Sequence, residues 1–278
     1  MQMVKSKKLG IIAGNRLLPI ILAQRIKQNE KGYEIVALCF KGETSRDIYK
    51  YADKVYWLGV GQLKNLSRIL ASEGISQCIM AGQINPLRIF NRKGWDKELI
   101  SLVESIQDFR PHTIFGKIIE YLESRGIIFL DSTAFLDKDL VKEGVMNRLN
   151  LTIAASRDVD FGLDMVSRFV ELDVGQTIVI KNGSVVALES LEGTDRTIKR
   201  AQALAGCGCT ILKFCKSNQD LRFDVPVVGI STLRLLRRIK ASSLVLEKNK
   251  VIILEKEKFL SLAREWGIPV LGKERLTV

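Results

Sequence analysis

Histidine is nearly absent from this chain: His112 is the single one in 278 residues. A Ser–His–Asp triad or a histidine-based zinc site therefore has one residue at most to draw on. No serine or cysteine stands at a recognisable spacing from it. Cysteine is also sparse. Cys39, Cys78, Cys207, Cys209 and Cys215 are odd in number, and the first two lie in apolar, strand-like runs. That pattern indicates reduced thiols and a cytoplasmic setting, not a disulfide scaffold. Cys207-Gly208-Cys209 with Cys215 lacks the second, separated ligand pair of a zinc site. No uninterrupted apolar run approaches the ~20 residues of a membrane helix. The apolar run after the basic stretch Met1–Lys8 is broken by Gly14-Asn15-Arg16, so it reads as a first strand and not as a signal peptide. The full G-x-G-x-x-G fingerprint is missing after that strand, which disfavours a nucleotide-sugar or NAD-linked oxidoreductase. There is no aromatic RNA-binding motif and no helix-turn-helix signal, which argues against nucleic acid as a partner and against a non-enzymatic nucleic-acid-binding protein.

What the chain does have is basic charge and apolar bulk. Lys plus Arg is 43 against 31 for Asp plus Glu, a net +12, and 46% of residues are hydrophobic. The excess favours an anionic partner: nucleic acid, acidic phospholipid or a phosphorylated substrate. The length suits one large domain or two ordinary ones.

The first half alternates strand and helix signals. Strands are expected at Lys8–Ala13, Glu34–Phe40, Lys54–Val60, Gln77–Ala81 and Ile127–Asp131, with helices at Leu18–Gln28, Leu63–Ser72, Trp95–Asp108 and Thr113–Ser124. Apolar strands separated by helices predict a Rossmann-like, mainly parallel sheet covered on both faces. Ligands of such sheets sit beyond the carboxyl ends of the strands. Here those ends carry Gly14-Asn15-Arg16, Gly61-Gln62, Gly82-Gln83 and Asp131-Ser132. After about Leu140 the pattern becomes mixed α/β. The segments TIVIK and SVVALE flank Asn182-Gly183, a hairpin signal. A helix follows at Thr194–Ala205 and a strand at Thr210–Phe214. A basic helix is expected at Ser231–Lys240, then a strand pair around Lys248-Asn249-Lys250, a helix at Lys256–Trp266 and a strand at Ile268–Leu271. The expected domains are 1–134 and 135–278, with the boundary inside Asp131–Arg148.

The stretch Gln219–Pro226 (QDLRFDVP) is the densest in chemistry. If it is extended, Asp220, Arg222 and Asp224 share one face. Carboxylates take Mg²⁺, and a guanidinium grips phosphate oxygens in two-pronged fashion. The competing structural reading is a solvated strand edge with an Asp–Arg ion pair. Glu192-Gly193-Thr194-Asp195 precedes a helix, whose free N–H groups and dipole suit phosphate, or which Asp195 merely caps. Gly14-Asn15-Arg16 is a candidate phosphate loop, and Gly82 permits close backbone approach to a ligand. On the basic helix, Leu233, Leu236 and Ile239 would face inward, leaving Arg234, Arg237 and Arg238 on a face suited to anionic lipid or simply to water.

Taken in order, Leu9–Asn15, Lys41-Gly42-Glu43-Thr44, Val60-Gly61-Gln62, Met80–Ile84, Asp173-Val174-Gly175-Gln176, Glu192–Asp195 and Gln219–Pro226 resemble the UDP-2,3-diacylglucosamine pyrophosphatases of the LpxI type. The resemblance covers nearly the whole chain. It implies a Rossmann-like N-terminal domain and a C-terminal catalytic domain special to the family that completes the site. It further implies hydrolysis of UDP-2,3-diacylglucosamine to UMP and 2,3-diacylglucosamine 1-phosphate (lipid X) in lipid A biosynthesis, with Mg²⁺ (or Mn²⁺) and with water directed at the sugar-side phosphorus. Asp224 matches the acid of the family's RFD-x-P stretch and is the first candidate for metal ligation or base duty. Asp220 is the second metal candidate, with Asp195 and Arg222 completing the catalytic set. Gly14, Asn15, Arg16, Gln62, Gly82, Gln176, Gly193, Thr194, Lys213 and Gln219 are the expected substrate contacts, Lys213 as a phosphate clamp. A cytoplasmic protein, peripheral on the anionic inner membrane, is the expected setting, and a homodimer is compatible with it. Two departures stand out. Arg16 follows Asn15 where many relatives have a second glycine, and Arg110-Pro111-His112-Thr113 replaces an acidic pair.

Overall fold

A computed structural model describes residues 7–29, 32–85, 92–107 and 110–277. Its contacts divide the chain into two compact units: 1–135 with 221–224, and 136–220 with 225–278.

The first unit holds a five-stranded sheet of order β3-β2-β1-β4-β5. Its strands are β1 (Lys7–Ala13), β2 (Tyr33–Phe40), β3 (Lys54–Leu58), β4 (Gln77–Ala81) and β5 (Ile128–Leu130), and every pairing is parallel. Helices α1 (Leu18–Asn29), α2 (Leu63–Ser72), α3 (Lys97–Glu104) and α4 (Pro111–Glu123) connect them. Alternate residues of the strands enter different layers, as the period of two requires. Ile12, Val36, Leu38 and Cys78 pack with Leu63, Leu66 and Leu70 of α2, Leu99 and Val103 of α3, and Ile119 and Leu122 of α4. Leu22 and Ile26 of α1 are fully buried, and that helix contacts β1, β2 and β4. Asp96 fixes two helix starts at once. Its carboxylate accepts from Leu99 N at 3.0 Å in α3 and from Lys64 N at 2.7 Å in α2, satisfying amides that have no intrahelical partner.

The second unit is built on a six-stranded mixed sheet of order β6-β13-β11-β9-β7-β8. Its elements are β6 (Gly144–Val145), α5 (Ile153–Glu171), β7 (Thr177–Lys181), β8 (Ser184–Leu188), α6 (Thr194–Ala205), β9 (Thr210–Lys213), β10 (Val227–Val228), α7 (Ile230–Arg238), β11 (Ser243–Glu247), β12 (Ile252–Ile253), α8 (Lys256–Glu265) and β13 (Val270–Lys273). Ile178, Ile180, Leu212, Val245 and Leu271 pack beneath α5. Their sequence neighbours Val179, Ile211, Leu244, Leu246 and Val270 pack with residues of α6, α7 and α8. The hairpin turn Asn182-Gly183 has φ of 50° and 69°, the left-handed pair a two-residue hairpin demands.

Two expectations are corrected here. The segments flanking Lys248-Asn249-Lys250 are not a strand pair. β11 pairs in parallel with β13 and β9, while β12 pairs in parallel with β10 in a separate two-stranded sheet. The stretch 219–226 is not a strand, and a turn occupies Leu221–Phe223. Its peptide groups find partners in Ser132, whose N–H donates to Leu221 O at 2.8 Å and whose Oγ lies 3.0 Å from Arg222 O. With those groups satisfied locally, the alternation that would place Asp220, Arg222 and Asp224 on one face does not apply.

Candidate active site

The carboxyl edge of the parallel sheet is tied together by its own loops. After β1, Gly14 N donates to Ala81 O at 2.8 Å and Asn15 N to Gln83 O at 2.7 Å. These contacts join the β1 and β4 loops where the strand order reverses, the usual ligand crevice of such sheets. They also explain the glycines. A Cβ on Gly14 would fall 2.4 Å from Gln83 O, and one on Gly82, at φ 83°, would fall 2.4 Å from Asn15 O. The expected backbone phosphate cradle is therefore corrected, because the amides of Gly14 and Asn15 are already spent on the neighbouring loop. Arg16, left-handed at φ 65° and exposed, keeps a guanidinium with no hydrogen bond or ion pair among the described residues. Glu43 adds a third loop. It accepts from Asn15 Nδ2 at 2.7 Å and from Asn85 N at 3.1 Å.

Against this edge lies a cavity of about 330 Å³. Gly14, Gln62, Gly82 and Asp224, all expected site residues, line it, together with Phe40, Trp95, Phe115, Phe223 and several aliphatic side chains. Most of the wall is apolar, and its polar groups are few: Gln62, Gln83, His112 and Asp224. That is the composition of a ligand pocket for an apolar group with a small polar end. Asp224 reaches the wall because Phe223 anchors the preceding turn, its ring 5.2 Å from His112 and 5.9 Å from Phe115. Gln62 turns its Oε1 back to Gly59 N at 2.9 Å. Gly61, at φ 99°, gives Trp95 room, since a Cβ there would sit 2.3 Å from its ring. Arg222 is held by Glu123, Nη1 to Oε1 at 2.8 Å, which engages the guanidinium expected to grip phosphate.

The remaining expected residues, Gln176, Gly193, Thr194, Asp195, Lys213, Gln219 and Asp220, belong to the second unit. Thr194 opens α6 behind Gly193, which has φ 80°. Lys213, only 5% exposed at the end of β9, donates to Thr194 Oγ1 at 2.7 Å. Asp195 is exposed in the first turn of α6 and pairs with no described residue. The neighbouring Glu192 is instead clamped by Arg200 at 2.6 Å. That bond, helped by backbone donors, brings its carboxyl down to about 2. Gln219 serves its own loop, with Oε1 accepting from Lys216 N at 3.0 Å. Gln176 Oε1 is buried with no hydrogen-bond partner among the described residues, an acceptor still to be satisfied.

Nowhere among the described residues do three or more His, Cys, Asp or Glu side chains gather in a metal cage. A structural zinc site does not fit that set. Magnesium binds through one or two carboxylates plus substrate phosphates and keeps several waters, so it does not require such a cage. The sequence did not single out Glu43, Trp95 or Glu189. Glu43 sat inside a noted motif without a role, and Glu189 was visible only as an acid closing an otherwise apolar strand. The scattered apolar wall has no local signal at all.

Comparison with known proteins adds family evidence. The LpxI N-terminal domain model matches residues 8–138, and the LpxI C-terminal domain model matches residues 142–271. A protein of Caulobacter vibrioides named UDP-2,3-diacylglucosamine pyrophosphatase LpxI is 24% identical over 278 residues, covering 96% of this chain and 97% of its own. Among solved structures, the precorrin-6A reductase CobK is 13% identical over 98% of this chain and 89% of that one, with a TM-score of 0.31. The biotin carboxylase domain of Hydrogenobacter thermophilus 2-oxoglutarate carboxylase is 12% identical over 72% of this chain and 41% of that one, with a TM-score of 0.28. Neither score supports a transfer of function.

Proposed function

Because the chain belongs to the LpxI family, whose N- and C-terminal domain models between them span residues 8–138 and 142–271, we propose that it hydrolyses UDP-2,3-diacylglucosamine to UMP and 2,3-diacylglucosamine 1-phosphate in lipid A biosynthesis. One observation carries this reading: Asp224 stands in the wall of an apolar cavity at the carboxyl edge of the sheet. The substrate has the same polarity profile, since its acyl chains hang from the sugar beside the diphosphate. Each buried methylene contributes about 0.8 kcal/mol, so a few chain carbons in the cavity outweigh the cost of ordering the sugar next to it. The phosphorus nearest a seated acyl chain is the one on the sugar. On this reading a carboxylate on that wall accepts a proton from water attacking the sugar-side phosphorus.

Bound Mg²⁺ (or Mn²⁺) would supply charge neutralisation on the phosphoryl oxygens and a more acidic water, and Asp224 and Asp220 are the residues that would hold it. In the chain itself, Arg16 offers to phosphate oxygens a cation unengaged among the described residues. In the second unit, Lys213 offers an ammonium and Thr194 its backbone N–H at the amino end of α6. The reading places the protein in the cytoplasm against the inner membrane, where its substrate is embedded. No helix of the described residues is long and apolar enough to cross a membrane.

Turnover in ¹⁸O-labelled water tests substrate, reaction and attacked phosphorus together. The expected result is one labelled oxygen in 2,3-diacylglucosamine 1-phosphate, none in UMP, and no products from folded Asp224→Ala. Label in UMP would overturn the assigned phosphorus, and near-normal turnover by Asp224→Ala would remove its role.

A further inference from the structure

A buried acid in the second unit has no part in the reading so far. Glu189 follows β8 and is 6% exposed. Its carboxylate accepts from Thr194 Oγ1 at 3.2 and 3.3 Å. The same hydroxyl accepts from Lys213 Nζ at 2.7 Å and lies 3.2 Å from Oγ1 of Thr177, itself fully buried. Four polar side chains from β7, the end of β8, the start of α6 and the end of β9, three of them buried, thus meet in one knot. The backbone holds Glu189 in place from two sides. Its N–H donates to Thr177 O at 2.9 Å, and Gly175 lies so close that a Cβ there would be 2.2 Å from Glu189 O.

The chemistry of the knot is directional. A threonine hydroxyl has one proton to give. If Glu189 takes it, the oxygen lone pairs of Thr194 are turned to Lys213, and one Lys213 N–H is fixed at a known point. If Glu189 is removed, the hydroxyl can rotate to Thr177 and offer its proton elsewhere, and the Lys213–Thr194 bond loses its fixed direction.

We propose that Glu189 is a positioning residue that orients the phosphate-holding Lys213 through the hydroxyl of Thr194. This rests on the reading of Lys213 as a phosphate-binding residue given above. The sequence motif that includes Thr194 is then only half of the device, and its other half is an acid at the end of the preceding strand.

The test is steady-state hydrolysis of UDP-2,3-diacylglucosamine by the full chain, with folding followed by circular dichroism and thermal unfolding. Glu189→Ala is expected to lower kcat/KM at least tenfold, and Glu189→Gln, which still accepts from Thr194, to remain within about threefold. In a Lys213→Ala background, Glu189→Ala is expected to add little, because both act on one group. Thr194→Val, isosteric and lacking the hydroxyl, should match Glu189→Ala, while Thr194→Ser should not. This pair decides the question if Glu189→Ala fails to fold. Full activity in folded Thr194→Val or Glu189→Ala, or losses that multiply independently with Lys213→Ala, would overturn the proposal. If Lys213→Ala itself keeps normal turnover, the phosphate reading fails first, whereas an impaired Lys213→Ala beside a normal Glu189→Ala rejects only the positioning role.

Discussion

At the scale of single residues, the charged groups sort by what already engages them. Glu73 is the clearest structural case. It closes α2, its side chain is 11% exposed, and it receives Lys54 at 2.7 Å, Lys8 at 3.0 Å and the hydroxyl of Tyr56. The Lys54 bond, then those of Tyr56 and Lys8, bring its carboxyl from 4.5 down to about 2. A folded-state value below the unfolded one means that the stabilisation is fully present above about pH 4.5 and is lost as pH falls through about 2. Glu73→Gln should therefore lose roughly 1–3 kcal/mol at pH 7, with the gap to wild type closing between pH 4.5 and pH 2 in urea titrations. A gap that is constant over that range would mean the charge contributes nothing. Asp195 and Arg16 are the opposite case, exposed groups with no partner among the described residues. Removing either should leave stability within about 0.5 kcal/mol, so any loss of turnover reports on ligand.

At the scale of elements, α7 separates a packed face from a free one. Leu233, Leu235, Leu236 and the following Ile239 are buried, while Arg234, Arg237 and Arg238 are exposed. Arg237 lies over the Trp266 ring at 4.6 Å, so Arg234 and Arg238 are the residues to reverse without disturbing packing. At about 1 kcal/mol per basic residue near an anionic surface, Arg234→Glu with Arg238→Glu should weaken cosedimentation with phosphatidylglycerol vesicles at least tenfold at low salt. Unchanged sedimentation would reject a membrane-facing role for the helix. The buried stripe of α7, the parallel strands of the first unit and the Asn182-Gly183 hairpin were all readable in the sequence, because each rests on a local period or turn. Helix α5 was not. Its inward face carries Asp158, which accepts from the amides of Asn182 and Gly183 at 3.1 and 2.7 Å, and Gly162, over which Leu212 packs so tightly that a Cβ would lie 2.6 Å away. A polar group and a glycine on the core side erase the apolar stripe, and their reasons lie in strands further along the chain. The turn at 221–223 hid for a related cause. The partner that satisfies it, Ser132, is about ninety residues distant. The acids and the strand-end glycines of the candidate site could be picked out from local motifs, but the cavity wall around them is assembled from seven separate segments.

At the scale of the whole molecule, the open quantity is where a catalytic metal would reside. An enzyme with a resident metal builds a cage of several protein ligands, and its fold then gains RT ln(1 + [M]/Kd) of stability whenever the metal is present. Here no three His, Cys, Asp or Glu side chains converge among the described residues, and the carboxylates proposed for the role are Asp224 and Asp220 alone. A metal held that sparsely would draw its remaining ligands from the diphosphate and from water, and would arrive and leave with substrate. Two measurements then move apart. Chelation with EDTA should abolish turnover, and Mg²⁺ or Mn²⁺ should restore it in proportion to the metal–substrate complex. The thermal unfolding midpoint of the substrate-free protein should not change on chelation. Undiminished turnover in EDTA would end the proposal of metal dependence. A midpoint that falls by several degrees on chelation without substrate would instead reveal a resident protein site, and the substrate-borne account would have to be abandoned.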